Sequence, residues 1–400
     1  MRDFLPRAAA RRVSLAERVA GVFEAWGYAR IITPVFEHAD VLERGLGRDA
    51  RAAAIRFVEP GTGEIVALRP DITPQIARVA ATRLADVEGP IRLCYEGAVT
   101  RRAGELGQRE ILQAGIELID APEPEGDAEV LAVAAAALAA TRLPETRLDV
   151  GHVAPVRCVL DAAPDPDARA RLAAALARKD RAGLRVAARG LPPAIAPLAE
   201  ALGSLWGPAE ATLARGAALP WPDGVTGALE RLRSVLAAFA TLADPPPPPL
   251  AIDLGDVRGF DYYTGIRFAG YVGGAPDAVL RGGRYDELIG RYGRAARATG
   301  FAIDVEALAQ AQRTAGIEAP PAARGVAVYG PGAAAAELAR QLRARGLRAV
   351  VCAAPPGASW LRGAGLDAAV VIDAGGHREL VVADDSRREL DPTISSLLEE

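Results

Sequence analysis

Residues 250–265 read LAIDLGDVRGFDYYTG, an apolar strand-compatible run followed by a segment that crowds Asp256, Arg258, Asp261, Tyr262 and Tyr263 among glycines. Taken alone, the segment is a catalytic loop, a pocket wall or an aromatic turn, and the rest of the chain has to decide. Upstream, QAGIELI (113–119) alternates so that Gln113, Gly115 and Glu117 share one face of a strand and Ala114, Ile116 and Leu118 the other. Such a face is either a pocket floor or the solvated side of an edge strand. Polar residues interrupt apolar patterns in the same way at Asp71 and Thr73 of LRPDIT (68–73) and at Arg101, just after YEGAVT (95–100).

Working outward, SLAERVAGVFEAW (14–26) sets Leu15, Val19, Val22, Phe23 and Trp26 at helical spacing, with Ser14 and Glu17 as a capping box. YARIITPVFEH (28–38) is a strand that Pro34 ends, because proline cannot donate to a ladder. IRFVEP (55–60), EIVALRP (64–70) and IRLCYEGAV (91–99) are further strands, and TPQIARVAATRLA (73–85) is a helix. From 165 to 243 the texture turns to Ala, Leu and Arg at helical spacing, a helical insertion closed by the stiff spacer DPPPPPL (244–250). Strands resume with AVLRGGRYDELI (278–289), and TGFAIDVEALAQAQRTAG (299–316) runs from strand into helix. GVAVYGPG (325–332), AAAAELARQLRARG (333–346), RAVVCA (348–353) and DAAVVIDAGG (367–376) then outline a small α/β module, whose GPG is a tight turn. The expected organisation is a core over 1–322, carrying the 165–243 insertion, and a module over 323–400.

Composition prunes the chemistry. The 400 residues are 50% hydrophobic and 24% charged, with a formal net charge of −4, so no global field favours a polyanion partner. Lys179 is the only lysine and no glycine precedes it, which argues against a phosphate-binding P-loop and a Schiff-base lysine. His38, His152 and His377 lie far apart and outside metal-binding spacings, and no cofactor or metal is expected. Cys94, Cys158 and Cys352 build no disulfide framework. The longest apolar run, VLAVAAAALAA (130–140), is too short to span a bilayer, and the N-terminus shows no signal peptide. A cytoplasmic protein without membrane contact is the expectation.

Together, RDFLP (2–6), GYARIITPVFE (27–37), VRGFDYYTG (257–265) and LRGGRYDEL (280–288) resemble the histidyl-tRNA synthetase family and its non-synthetase branch, the regulatory subunits of ATP phosphoribosyltransferase. The similarity runs over about residues 2 to 310. It implies a class II aminoacyl-tRNA synthetase-like fold, α/β (α+β), with an antiparallel sheet flanked by helices, and a dimer contact at the first class II motif, which GYARIITPVFE (27–37) resembles. Carried over position by position, it implies a histidine pocket. Asp71 and Thr73 would receive the amino group, Gln113 and Arg258 would face the carboxylate, Glu117 and Tyr263 would grip the imidazole, and Tyr262 would form a wall or a second hydrogen-bond partner. Arg101 would pair with the carboxylate or bridge to a neighbouring acid, and GGRYDEL would be structural, with Arg284 pairing to Asp286.

The ATP half of such a site departs from the synthetase pattern. Ala103 stands where the synthetases have the adenine-reading glutamate, Ala307 where they have the arginine that holds the ATP phosphates, and Asp304 where they have a glycine. A methyl in place of a cation, beside a new carboxylate, does not suit a triphosphate. The resemblance therefore implies a non-catalytic regulatory subunit, which assembles as a homodimer with a short-form catalytic subunit in a hetero-oligomer and transmits feedback by L-histidine in histidine biosynthesis. The alternatives are a working histidyl-tRNA synthetase and a stand-alone histidine-binding module. The C-terminal module is similar to a shortened anticodon-binding domain, but its mixed DDSRREL (384–390) and acidic SSLLEE (395–400) do not suit tRNA.

Overall fold

The computed structural model describes residues 3–100, 110–244, 246–258, 262–318, 325–382 and 387–389. The chain divides into two compact units, Met1–Glu318 and Ala319–Glu400.

The strands of the first unit are, in chain order, β1 (Ala29–Arg30), β2 (Phe36–His38), β3 (Ile55–Val58), β4 (Ile65–Leu68), β5 (Ile91–Thr100), β6 (Glu110–Ile119), β7 (Arg147–His152), β8 (Trp206–Pro208), β9 (Leu250–Asp253), β10 (Ile266–Tyr271), β11 (Leu280–Arg284) and β12 (Ala298–Asp304). Nine of them form one sheet in the order β1-β5-β6-β12-β11-β10-β7-β9-β8, and β2-β4-β3 form a separate small sheet. The large sheet is antiparallel except where β1 joins β5 and β7 joins β9.

Alternation along these strands builds two layers. On one face, Ile116, Leu118, Phe268 and Phe301 pack with Val19 and Phe23 of the helix Pro6–Ala25, with the Ala-rich helix Glu125–Ala140 and with Leu308 of the helix Val305–Thr314. On the other face, Tyr95, Val99, Ile72, Ile76 and Tyr285 form a smaller cluster, with Tyr262 and Tyr263 packed against it. The second face holds the cavity described below.

Pro34 divides the YARIITPVFEH run between sheets, since β1 pairs with β5 and β2 with β4. The link is stapled by Arg69, whose guanidinium donates to the Thr33 carbonyl (2.9 Å) and to the Ala98 carbonyl (2.8 Å). The Gln75 amide holds the Pro34 carbonyl (2.9 Å). These bonds fix the exit of β4, and Asp71–Thr73 follows directly.

Two local expectations fail for physical reasons. The first helix begins at Pro6 instead of Ser14, because a proline at the first turn needs no donor and nucleates it. Ser14 therefore sits mid-helix, where its hydroxyl accepts from Arg18 (3.1 Å). The 165–243 region carries the helices Pro166–Ala177, Arg181–Ala188, Ala196–Leu202, Ala209–Ala217 and Asp223–Leu242, but also β8, which extends the sheet beside β9.

The second unit is a five-stranded sheet in the order β14-β13-β15-β16-β17, with β13 (Gly325–Tyr329) parallel to β14 (Arg348–Val351) and β15 (Ala368–Ile372), and β16 (Arg378–Val382) and β17 (Arg387–Glu389) added antiparallel. Val326 and Val328 face the helix Gly332–Ala344, whereas Ala327 faces Leu361 of the helix Ala358–Ala364. The closing SSLLEE lies outside the described residues.

Candidate functional site

The register of β5, β6, β12 and β11 lays out the cavity floor. Tyr95, Gly115, Ala302 and Arg281 form one row across the sheet, and Glu117, Gly300 and Gly283 form the next. The glycines are required by approach distance. A Cβ at Gly115 would meet the Tyr95 hydroxyl at 2.6 Å, and one at Gly300 would overlap the Glu117 carboxylate and the Ile116 carbonyl. Above the floor lie Asp71 and Thr73 at the start of the helix Thr73–Thr82, together with Tyr262, Tyr263 and Tyr285. The cavity measures about 220 Å³. That is below the roughly 300–1,000 Å³ of drug-sized ligand pockets and suits a solute of amino-acid size.

Glu117 is the centre of this arrangement and is buried. Its Oε1 accepts from the Thr73 hydroxyl (2.6 Å) and the Tyr95 hydroxyl (3.3 Å), and its Oε2 accepts from the Tyr285 hydroxyl. Removal from water dominates. With nearby Asp71 acting in the same sense, it outweighs the three hydroxyl donors and pushes the carboxyl up to about 8, so it holds its proton at neutral pH. The same burial raises Tyr95, Tyr262 and Tyr285 well above the ordinary phenol range and Tyr263 to about 12, so all four keep their protons at neutral pH.

The tyrosines also form the aromatic wall. Tyr262 meets Tyr263 edge-on at 5.2 Å between centroids and leans on Tyr285 at 5.3 Å. The Tyr262 hydroxyl is buried with no hydrogen-bond partner among the described residues. A buried orphan donor in a cavity wall is a group that a bound polar solute would satisfy.

Asp71, Thr73, Gln113, Glu117, Tyr262 and Tyr263 all line the one cavity. Thr73 is engaged with Glu117, and the Gln113 Oε1 accepts the Ile72 amide (3.3 Å), which ties the Asp71–Thr73 segment to the floor. Arg258 is not among the lining side chains. Its guanidinium forks onto Asp256 (3.1 Å to each oxygen) and donates to the Tyr271 hydroxyl (2.9 Å). Arg101 lies outside the described residues, as do Ala103 and residues 259–261.

The profile of the histidyl-tRNA synthetase family matches residues 1–308. The ATP phosphoribosyltransferase regulatory subunit of Anaeromyxobacter dehalogenans is 44% identical over 318 residues, covering 78% of this chain and 89% of that protein. Its counterpart in Geobacter sulfurreducens is 39% identical over 355 residues, covering 86% and 80%. The chain belongs to the ATP phosphoribosyltransferase regulatory-subunit family. Among solved structures, an ATP phosphoribosyltransferase regulatory subunit/histidyl-tRNA synthetase from Bacillus halodurans C matches with a TM-score of 0.80 at 27% identity, over 94% of this chain and 97% of that one. The histidyl-tRNA synthetase of Nostoc sp. PCC 7120 shares the fold, with a TM-score of 0.80 at 21% identity over 100% and 97%. The family and the class II fold expected from the signature stretches are thus borne out.

In this member of the regulatory-subunit family the turn from β12 into the helix Val305–Thr314 is built around Asp304. Its carboxylate caps the helix Val305–Thr314 by accepting from the Ala307 amide (2.9 Å), and the residue also lines the cavity. Ala307 packs, partly buried, against the main core. The cavity lining among the described residues therefore holds the acids Asp71, Glu117 and Asp304 and a single base, Arg281.

Tyr285 and Arg281 are the lining residues the motif reading missed, because GGRYDEL reads as structural. A period of two along 280–286 contains the signal: Arg281, Gly283 and Tyr285 fall on the cavity side, and Leu280, Gly282 and Arg284 fall on the other. Arg284 does pair with Asp286 (3.1 Å) through Nη1, and its Nε is shared between both oxygens of buried Asp127 (2.9 and 3.1 Å) and lies 3.0 Å from Glu123.

Proposed function

We propose that this chain is the regulatory partner of a short-form ATP phosphoribosyltransferase catalytic subunit and senses L-histidine in the β5-β6-β12-β11 cavity. Glu117 and the tyrosines receive the imidazole, and Asp71 receives the ammonium. Histidine binding then favours one arrangement of the assembly, and it shifts activity only by its differential affinity for the two arrangements. The chain performs no adenylation itself. The same reading places it in the cytoplasm, where the free cysteines Cys94, Cys158 and Cys352 stay reduced. Among the described residues no helix is long and apolar enough to cross a membrane. A homodimer contact at the first motif is supported by exposed Ile32, Val35 and Phe36.

The observation that carries this reading is the contrast between the two halves of the site. The amino-acid half keeps an amino-acid-sized cavity with a buried acid at its floor. The half that would hold ATP offers the Asp304 carboxylate and the Ala307 methyl at a helix start, which would repel a triphosphate. The test is histidine-dependent exchange of pyrophosphate into ATP by the purified chain, alongside co-purification with the catalytic subunit. The expected results are no exchange and a stable complex. Robust exchange would instead support the synthetase reading, and a failure to co-purify would support a stand-alone histidine-binding module.

A further inference from the structure

We infer that Arg281 is the carboxylate anchor of this cavity, the residue that separates an α-amino acid from its decarboxylated amine. The inference rests on the histidine-sensing reading above and adds a specificity residue to it.

The cavity lining among the described residues is rich in acid, and Arg281 is its one basic side chain. A carboxylate entering beside Asp71, Glu117 and Asp304 needs a fixed cation, and no other lining residue among the described ones supplies one. Arg258 is already forked onto Asp256 outside the lining. Arg281 is placed for the task by register. It opposes Ala302 on β12, one row along from the row in which Glu117 opposes Gly300. At sheet spacings of about 4.8 Å between strands and about 3.4 Å per residue, the two Cα atoms stand roughly 12 Å apart on the same face. Side chains standing off the same sheet face at that separation leave a gap that one amino acid can bridge, imidazole toward Glu117 and carboxylate toward Arg281.

The guanidinium is half-exposed at the cavity and partly committed. Its Nη2 donates to Asp277 (2.6 Å) and its Nη1 to the Ala278 carbonyl (3.0 Å). Those bonds orient the planar fork, and its remaining N–H donors carry no hydrogen bond among the described residues. A ligand carboxylate takes up these donors in a charge-assisted pair, the interaction for which a guanidinium is better suited than any other side chain. Ala302, opposite Arg281, offers only a methyl, so the approach is not blocked by a bulky neighbour.

The test is calorimetric titration of the full chain with L-histidine and with histamine, which keeps the imidazole and amine but lacks the carboxylate. The titrations are run on the wild type, Arg281→Ala, Arg281→Gln and Arg101→Ala. The wild type should prefer L-histidine. Both Arg281 variants should lose about 10- to 100-fold in affinity for L-histidine, the worth of a charge-assisted hydrogen bond or two. Histamine affinity should stay within about twofold of wild type, which also shows that the variants are folded. If the Arg281 variants keep the wild-type preference, or if Arg101→Ala abolishes it instead, the anchor is overturned while histidine sensing stands. If the wild type binds neither compound at millimolar concentration, both fall together.

Discussion

Glu117→Gln separates the charge of the floor carboxyl from its shape. In the folded chain this group titrates at about 8, against an ordinary value of 4.5, chiefly because it is removed from water. A raised carboxyl means the folded state holds the proton more tightly than the unfolded state. Its stabilising contribution is complete below about 4.5 and is lost as pH rises through about 8. At about 1.4 kcal/mol per pH unit, the fold loses roughly 5 kcal/mol at this one position between acid and alkaline conditions. Against a typical domain stability of about 5–15 kcal/mol, that is a large share. Glutamine mimics the protonated acid and cannot titrate, so the difference between wild type and variant isolates Glu117 from every other group. In urea unfolding followed at pH 5, 7 and 9, the variant should gain several kcal/mol on the wild type between the first and last. A difference that stays constant within about 1 kcal/mol would mean the carboxyl is already ionised or hydrated, and the description of a dry floor would be wrong.

Other perturbations test the surroundings. Gly300→Ala drives a methyl into the Glu117 carboxylate and the Ile116 carbonyl; it should cost about 1–3 kcal/mol or more and abolish histidine binding, and an unchanged melting temperature would argue against it. Arg284→Met leaves fully buried Asp127 without its partner, which should cost about 3–5 kcal/mol in urea unfolding, part of it recovered by adding Asp127→Asn. Arg258→Ala removes a half-exposed fork to Asp256 and a bond to Tyr271. It should cost about 1 kcal/mol and change histidine affinity less than about threefold, and a loss of tenfold or more would put Arg258 in the pocket.

The elements that carry the site were legible because their signals are strong and local. The alternation of QAGIELI needed no partner strand to put Gln113 and Glu117 on one side, and the proline in YARIITPVFEH marked the place where one run serves two sheets. What stayed hidden depended on long-range pairing. Nothing near Trp206 announces a strand, since β8 exists only because β9 is there to pair with it. The cap at Ser14 was locally sound and lost to Pro6, which starts the helix two turns earlier. Arg258 sits in the most informative stretch of the chain, yet its side chain is claimed by Asp256 two residues away. Tyr285 and Arg281 were masked by the glycines beside them, which signal close packing and draw attention from the side chains they make room for.

The central claim is that this chain confers histidine sensitivity on a catalytic subunit through the cavity around Glu117. The direct measurement is phosphoribosyl transfer to ATP by the short-form catalytic subunit with and without this chain, across L-histidine concentration, repeated with Glu117→Ala and Arg281→Ala. Expected are activity that depends on this chain and inhibition by L-histidine that moves to concentrations at least about tenfold higher in both variants, with activity in the absence of histidine preserved. An inhibition curve unchanged by either substitution would contradict it.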